Sequence, residues 1–260
     1  MNRVLVNTVL PGPKARDWRA SGRILAAALS VATGLAGCTT SPPGTGINDP
    51  YEKQNREVHR FNQAVDSAVF GGPGTPKEPF LPPLVAEGIG NFASNLGLPS
   101  ATLNGALQAR PKTVFRNGAR FVVNTTLGIA GLFDPASRMG LAEIETDFGE
   151  TLHVWGVREG AYVEAPLIGP TTERDLAGKL VDMVIDPLNG LPTPERYYAT
   201  GINVTSKVDK RLRYSDTVDS ILYGSADSYA QARLLYLQNR HYKLGIQEEV
   251  FDPYADPYGQ

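Results

Sequence analysis

Chemistry requires a nucleophile, a base, a metal ligand or a charged grip at a defined spacing, and this chain supplies few of them. His59, His153 and His241 stand far apart, and none falls in an H-x-x-x-H or H-E-x-x-H pattern. Cys38 is the only cysteine, which excludes an intramolecular disulfide and a cysteine-built zinc cage. The string Gly88-Ile-Gly90-Asn-Phe-Ala93 has dinucleotide-type glycine spacing. It follows Pro82-Pro83 rather than a strand, however, and no acidic residue lies about 20 positions on to hold a ribose. There is no Walker phosphate loop and no G-x-S-x-G nucleophile elbow. Ser137, His153 and Asp147 are the residue types of a hydrolytic triad, but no motif joins a nucleophile, a base and oxyanion donors. The sequence predicts a protein that is not an enzyme and holds no metal or cofactor.

The position of Cys38 says more than its thiol. Arg3, Lys14, Arg16, Arg19 and Arg23 against Asp17 give the first 37 residues a charge of +4, which leaves −6 on the rest of a chain whose net charge is −2. An acidic remainder lacks the basic face that nucleic acid requires. The cationic stretch runs into an apolar segment at residues 24–36, too short to span a bilayer, in the layout of a secretory signal. That segment ends Leu35-Ala36-Gly37-Cys38, which resembles the bacterial lipobox, with cleavage between Gly37 and Cys38 and acylation of the Cys38 sulfur. The competing reading is an ordinary signal peptide with an incidental cysteine. Two or three acyl chains anchor stably where one does not. Thr39 stands where an Asp would suggest inner-membrane retention, so the pattern resembles an outer-membrane lipoprotein. The predicted organisation is a signal peptide at 1–37, an acylated flexible tether at 38–48, one folded domain at 49–247 and a short C-terminal tail at 248–260.

The 27 glycines and 20 prolines among 260 residues predict short, interrupted elements, while 42% hydrophobic residues are ample for a folded core. Asp49-Pro50-Tyr51-Glu52 reads as a helix start with Asp as N-cap, followed by an apolar stripe at Val58, Phe61, Val65 and Val69. Val85, Ile89, Phe92 and Leu96 make a second stripe, and Pro99 and Pro111 bracket a short piece containing Leu103 and Leu107. Val114, Phe115, Phe121 and Val122 share a side of the next stretch. Thr172 caps a predicted helix reaching Ile185, with Leu176, Leu180, Met183 and Val184 inward, and a last helix spans about 225–243 with Gly245 as its C-terminal cap. Strand signals are weak, the best being at 153–157 and 161–163. The class is mostly α. Amphipathic helices of this kind pack into a small core or lie in the membrane plane, and periodicity does not separate the two.

Several strings then resemble the MlaA (VacJ) family of outer-membrane lipoproteins. They begin with Asn48-Asp-Pro-Tyr-Glu52, Asn55-Arg56 and Phe61-Asn62, then Gly90-Asn-Phe92, Asn95-Leu96, Arg120-Phe121 and Asn124-Thr-Thr-Leu-Gly128. Gly131-Leu-Phe-Asp134, Asp147-Phe-Gly149, Trp155-Gly156-Val157, Gly160-Ala-Tyr162, Pro166-Leu-Ile-Gly169, Arg174-Asp175 and Asp186-Pro187-Leu188 follow in order. The resemblance implies a single domain of short amphipathic helices forming a ring around a lipid channel, lying in the membrane plane. It implies phospholipid as cargo, an outer-membrane porin trimer as host, and a periplasmic lipid-binding protein of the Mla system as recipient. Gln54 stands where the family usually has an apolar or aromatic residue, the C-terminus is short, and residues 70–79 replace the basic stretch after the first helix, which leaves the porin-facing surface and the identity of that partner open.

The site residues follow from that resemblance. Cys38 is the acylation site. Arg196 resembles a channel-mouth cation able to meet a lipid phosphate, or is a solvated charge. Asn55, Arg56, Phe61 and Asn62 belong to the first-helix motif and serve gating or ring integrity, or simply cap and pack. Arg120, Asp147, Arg174 and Asp175 are expected as a buried ion-pair set holding the ring. A structural lipoprotein anchoring an envelope complex is the alternative function, and a membrane-tethered lipid hydrolase a weaker one.

Overall fold

Among the described residues, a proline or a short polar cap sets the start of seven α-helices. The computed structural model describes residues 47–190 and 192–246; Gly37, Cys38, the predicted signal peptide, most of the tether and the tail lie outside them. In chain order the elements are α1 (Glu52–Phe70), α2 (Pro83–Leu107), α3 (Pro111–Thr126), α4 (Pro135–Arg138) and α5 (Phe148–Val154). A hairpin of β1 (Tyr162–Ala165) and β2 (Gly169–Thr172) follows, then α6 (Glu173–Ile185), a 3-10 turn (Pro187–Gly190), α7 (Thr193–Arg213), α8 (Ser215–Leu222) and α9 (Ser228–Leu244). Proline occupies the first turn of α2, α3, α4 and α7, where its missing N–H has no helical partner to lose. Asp134, Asp147, Thr172 and Asp227 cap α4, α5, α6 and α9 by accepting from Ser137, Glu150, Asp175 and Ala230 amides. α9 ends in the left-handed Gly245, as its sequence predicts.

Four local expectations need correction. Asp49 does not cap α1; its carboxylate accepts from Asn55, Tyr229 and Arg233 instead. Pro99 does not break its helix. α2 runs through it, with neighbours α3, α5 and α7 holding the segment helical despite the lost hydrogen bond. Residues 153–157 are not a strand, because Thr151 and His153 carbonyls close the end of α5 through the Trp155 and Gly156 amides. The hairpin lies beyond them, antiparallel with Tyr162 opposite Thr172 and Ala165 opposite Gly169. β1 lies against α1, and β2 against α6 and α9. Where α5 meets α6 the backbones nearly touch: a Cβ at Gly178 would stand 2.3 Å from the Gly149 nitrogen, so no larger residue fits.

The fourth correction concerns which face of the helices is buried. Polar side chains point inward. α1 buries Asn55 and His59; α2 buries Asn95 and Asn104; α3 buries Thr113, Asn117, Arg120 and Asn124. α6 turns Arg174 and Asp175 inward and leaves Leu180, Met183 and Val184 exposed, the reverse of the expected orientation. On α3, Asn117 is fully buried while Phe115 is 75% exposed and Val122 59%. The reason is pairing. Asn117 Nδ2 donates to the Ile144 carbonyl at 2.9 Å and its Oδ1 accepts the Ile144 amide at 3.1 Å. Asn124 donates to Asp134 at 2.9 Å and accepts the Ala136 amide at 3.1 Å. Asparagine thereby completes the hydrogen bonding of neighbouring turns that have no ladder of their own.

Removing such a group strands its partners. Asn124→Leu should lower stability by about 2 kcal/mol, because the Ala136 amide and an Asp134 oxygen each lose a partner. Val122→Ala on the same helix should change it by less than about 0.5 kcal/mol. Denaturant titration in detergent micelles checks both, and an equal loss for the two variants would contradict the inverted arrangement.

Candidate functional site

The first-helix residues converge on the hairpin. Asn55 lies one turn before His59 on the inner face of α1. Its Nδ2 donates to Asp49 at 2.9 Å and to the Tyr162 carbonyl at 3.1 Å, while its Oδ1 accepts the Glu164 amide at 2.9 Å. One side chain therefore continues the open edge of β1, which the Asn48 carbonyl also engages through the Tyr162 amide. Asn62 holds the other end. It donates to the Ala165 carbonyl at 3.1 Å and accepts the amide of Leu167 at 2.8 Å, at the tip of the turn. Arg56 grips Asp227 with both terminal nitrogens, at 2.9 and 2.8 Å, and lies 4.5 Å from the Tyr229 ring centroid. Those bonds hold the Asp227 carboxyl down at about 2. Phe61 is half-exposed and joins none of these contacts.

A second centre forms where α5, α6 and α9 meet. Arg240 spans two carboxylates: it donates to both oxygens of Asp147 at 2.8 Å and to Asp175 at 3.0 Å. Asp175 also accepts from Tyr236 at 2.7 Å and from Arg174 at 3.2 Å. Burial alone would raise the Asp175 pKa, but Arg240, Tyr236 and Arg174 together hold it below the usual carboxylate range. Arg174 reaches on toward Glu159 at 3.7 Å and His153 at 3.4 Å, and burial with the two arginines depresses the His153 pKa.

Arg120 stands apart from these residues. It pairs with Asp134 at 3.0 Å and donates to Ser137 at 2.9 Å and to the Leu141 carbonyl. The four residues expected as one ion-pair set therefore divide between two centres. A third, at the entry to the domain, joins Asp49 to Asn55, Tyr229 and Arg233. Arg196 sits exposed in the first turn of α7, 6.0 Å from the Tyr197 ring, and among the described residues it makes no salt bridge.

Sequence reasoning missed Arg240 and the buried pair of His59 with Glu164, which stand 3.3 Å apart. No local signal announces Arg240, whose partners lie 93 and 65 positions away in the chain. Asp134 was legible only as part of the Gly131-Leu-Phe-Asp134 string, neither as the cap of α4 nor as the partner of Arg120. Among the described residues there is no group of three or more His, Cys, Asp or Glu placed to hold a metal ion, and no helix long and apolar enough to cross a membrane.

A helical domain with a charge-paired interior, a small hairpin and apolar outer faces matches one known class of protein. The MlaA lipoprotein family profile matches residues 47–243, and the chain belongs to that family. An intermembrane phospholipid transport system lipoprotein MlaA from Shigella flexneri is 32% identical over 226 residues, covering 84% of this chain and 87% of the relative. An uncharacterized protein of Rickettsia typhi is 32% identical over 188 residues, covering 72% and 74%. A solved structure described as the structural basis for maintenance of bacterial outer membrane lipid asymmetry aligns with a TM-score of 0.62 at 30% identity. That alignment covers 75% of this chain and 98% of the other.

The Asp134 centre makes a prediction about acid. Burial opposes ionisation of Asp134, but bonds from Ser137, Asn124 and Arg120 outweigh it and lower the pKa from 3.8 to about 2. A depressed carboxylate stabilises the folded state above its unfolded pKa and loses that contribution as pH falls through the folded value. Stability should therefore decline between about pH 4 and pH 2, and Asp134→Asn should flatten that part of the curve in a pH-resolved denaturant titration. An unchanged slope in the variant would remove Asp134 as a source.

Proposed function

We propose that the protein is a lipid-anchored component of the bacterial outer membrane that removes mislocalised phospholipid from the outer leaflet. The phospholipid passes through an amphipathic channel to a periplasmic lipid-binding protein of the Mla system, and a porin trimer houses the domain in the bilayer. Acyl chains on Cys38 hold it at the membrane. The domain has no catalytic turnover. Family membership and the names of the relatives support transport, and the observation that carries the reading is the inverted distribution of polarity.

Each large apolar side chain left in water forgoes about 1.5–3 kcal/mol of burial. Roughly a dozen such residues equal or exceed the whole stability of an ordinary domain, about 5–15 kcal/mol. Phe115, Leu84, Ile129, Met183 and Leu167 are each more than 60% exposed. A hydrocarbon environment removes that deficit, and helices without a spanning segment meet it lying in the membrane plane. Phospholipid cargo sets a related requirement. Its roughly 30 methylenes at ~0.8 kcal/mol each make an aqueous passage cost on the order of 25 kcal/mol. A carrier therefore needs an apolar lane beside a polar one, which amphipathic helices with paired polar faces are suited to form.

Lipid extraction from the purified full chain, wild type beside Cys38→Ala, tests the reading. Phospholipid recovered with both forms is expected; a wild type carrying only its covalent chains would contradict it. Arg196→Glu, which reverses the exposed cation, should slow phospholipid transfer between vesicles about tenfold, the value of one charge-assisted contact. Unchanged transfer would remove Arg196 from the pathway.

A further inference from the structure

Between α1, the hairpin and the α8–α9 pair lies a pocket of about 480 Å³, within the roughly 300–1,000 Å³ of small-molecule sites. Its walls are apolar: Val65 and Phe70 from α1, Pro170 from β2, and Val218, Ile221 and Leu222 from α8. Leu167 and Ile168 at the hairpin turn and Leu235 on α9 also line it, yet all three stay exposed, Leu167 at 74%. Leu167 is moreover held at φ 63, the left-handed region that disfavours a branched side chain. No burial of its side chain offsets that strain. The Asn62 clamp on its amide maintains it, at 2.8 Å.

The floor is polar, and its carboxylates and imidazole are each paired. Glu164 accepts from Tyr162 at 2.6 Å, from Asn62 at 3.3 Å and lies 3.3 Å from His59 Nδ1. His59 Nε2 meets Ser228 at 3.1 Å, and Asp66 accepts from Arg211 at 2.8 and 2.6 Å and from Tyr223 at 3.0 Å. Hydrocarbon laid over paired groups strands no donor or acceptor, so it avoids the penalty for burying unsatisfied polarity.

We propose that this pocket holds one acyl chain of a phospholipid, admitted past Leu167, Ile168 and Leu235. A peptide is a poorer occupant, since every residue brings an N–H and a C=O that these walls and this paired floor do not satisfy. A fatty acid entering carboxylate first meets Glu164 and Asp66, and like charges at an apolar site repel strongly. A methyl-first chain meets neither obstacle. α1 and α9 carry further exposed apolar side chains, Val69 and Leu234, on the same elements. A chain entering from the bilayer therefore need not cross water, which would cost about 0.8 kcal/mol per methylene. The proposal rests on the membrane placement and lipid handling proposed above. It assigns Asn62 the role of fixing the pocket's lip.

The test uses the full chain with Cys38→Ala and Ile221→Cys, held in amphipol, so that residue 221 carries its only thiol. Maleimide labelling is timed with and without palmitoyl-lysophosphatidylcholine. At about ten times its Kd, the lysolipid should slow labelling about tenfold, in proportion to the pocket left empty. Glu57→Cys, on the exposed face of α1, should be unaffected, as should residue 221 when glycerophosphocholine replaces the lysolipid. Equal rates with and without lysolipid, or protection by the head group alone, would overturn the proposal. Val218→Cys supplies a second probe of the same wall if the first variant misfolds. Vesicle transfer by the native-cysteine chain separates the two readings: transfer without protection sinks the pocket alone, and protection without transfer sinks the transport reading alone.

Discussion

The structure depends on one constraint: a polar group removed from water must be paired, and here the pairs are made between side chains of one element and the backbone or charges of another. Asn117 satisfies both the amide and the carbonyl of Ile144, Asn55 continues the edge of β1, and Arg240 joins two carboxylates from α5 and α6. Each bond requires its helix to present a polar face inward. The apolar face is left outside, where contact with hydrocarbon or with a partner protein would remove the cost of that exposure. On the proposed membrane placement, interior pairing and outward apolar faces are one arrangement viewed from its two sides.

The same pairs tie distant parts of the chain together. Asp49, at the point where the predicted tether enters the domain, is bound by Arg233 and Tyr229 of α9, more than 170 residues away in sequence. Arg56 binds Asp227 at the start of the same helix. The first and last helices are therefore locked by charge rather than by an apolar seam. Such a lock is directional, since a bidentate guanidinium–carboxylate pair fixes orientation as well as distance. It also places the hairpin, whose β1 lies on α1 and whose β2 lies on α6 and α9.

What was legible in the sequence was local. The Thr172 cap and the terminal Gly245 announce themselves within a few residues, so both ends of α6 and the end of α9 could be read, while the Asp caps of α4, α5 and α9 were not. Apolar stripes were visible too, but a stripe does not say whether it meets protein or lipid; on α6, Leu180, Met183 and Val184 face outward because Arg174 and Asp175 have partners inside. α7 and α8 escaped notice, for Gly201 and the β-branched residues of α7 weaken its helical pattern and α8 is short. Pro99 misled because tertiary neighbours override a local breaker. Arg240 was illegible, since its meaning lies wholly in partners distant along the chain. The ordered set of short motifs carried the family where no single string did.

The central claim is that the exposed apolar faces meet hydrocarbon. Its most direct measurement is fluorescence quenching of a tryptophan placed at the exposed position of α3, as Phe115→Trp, in nanodiscs whose phospholipid chains carry bromine. A tryptophan at Glu143, among the polar loop residues, serves as the reference. Strong quenching at 115 with weak quenching at 143 is the result the account predicts. Equal and weak quenching at both would mean that the apolar face of α3 lies outside the bilayer, and the account of why this protein is built with its polarity inverted would fail.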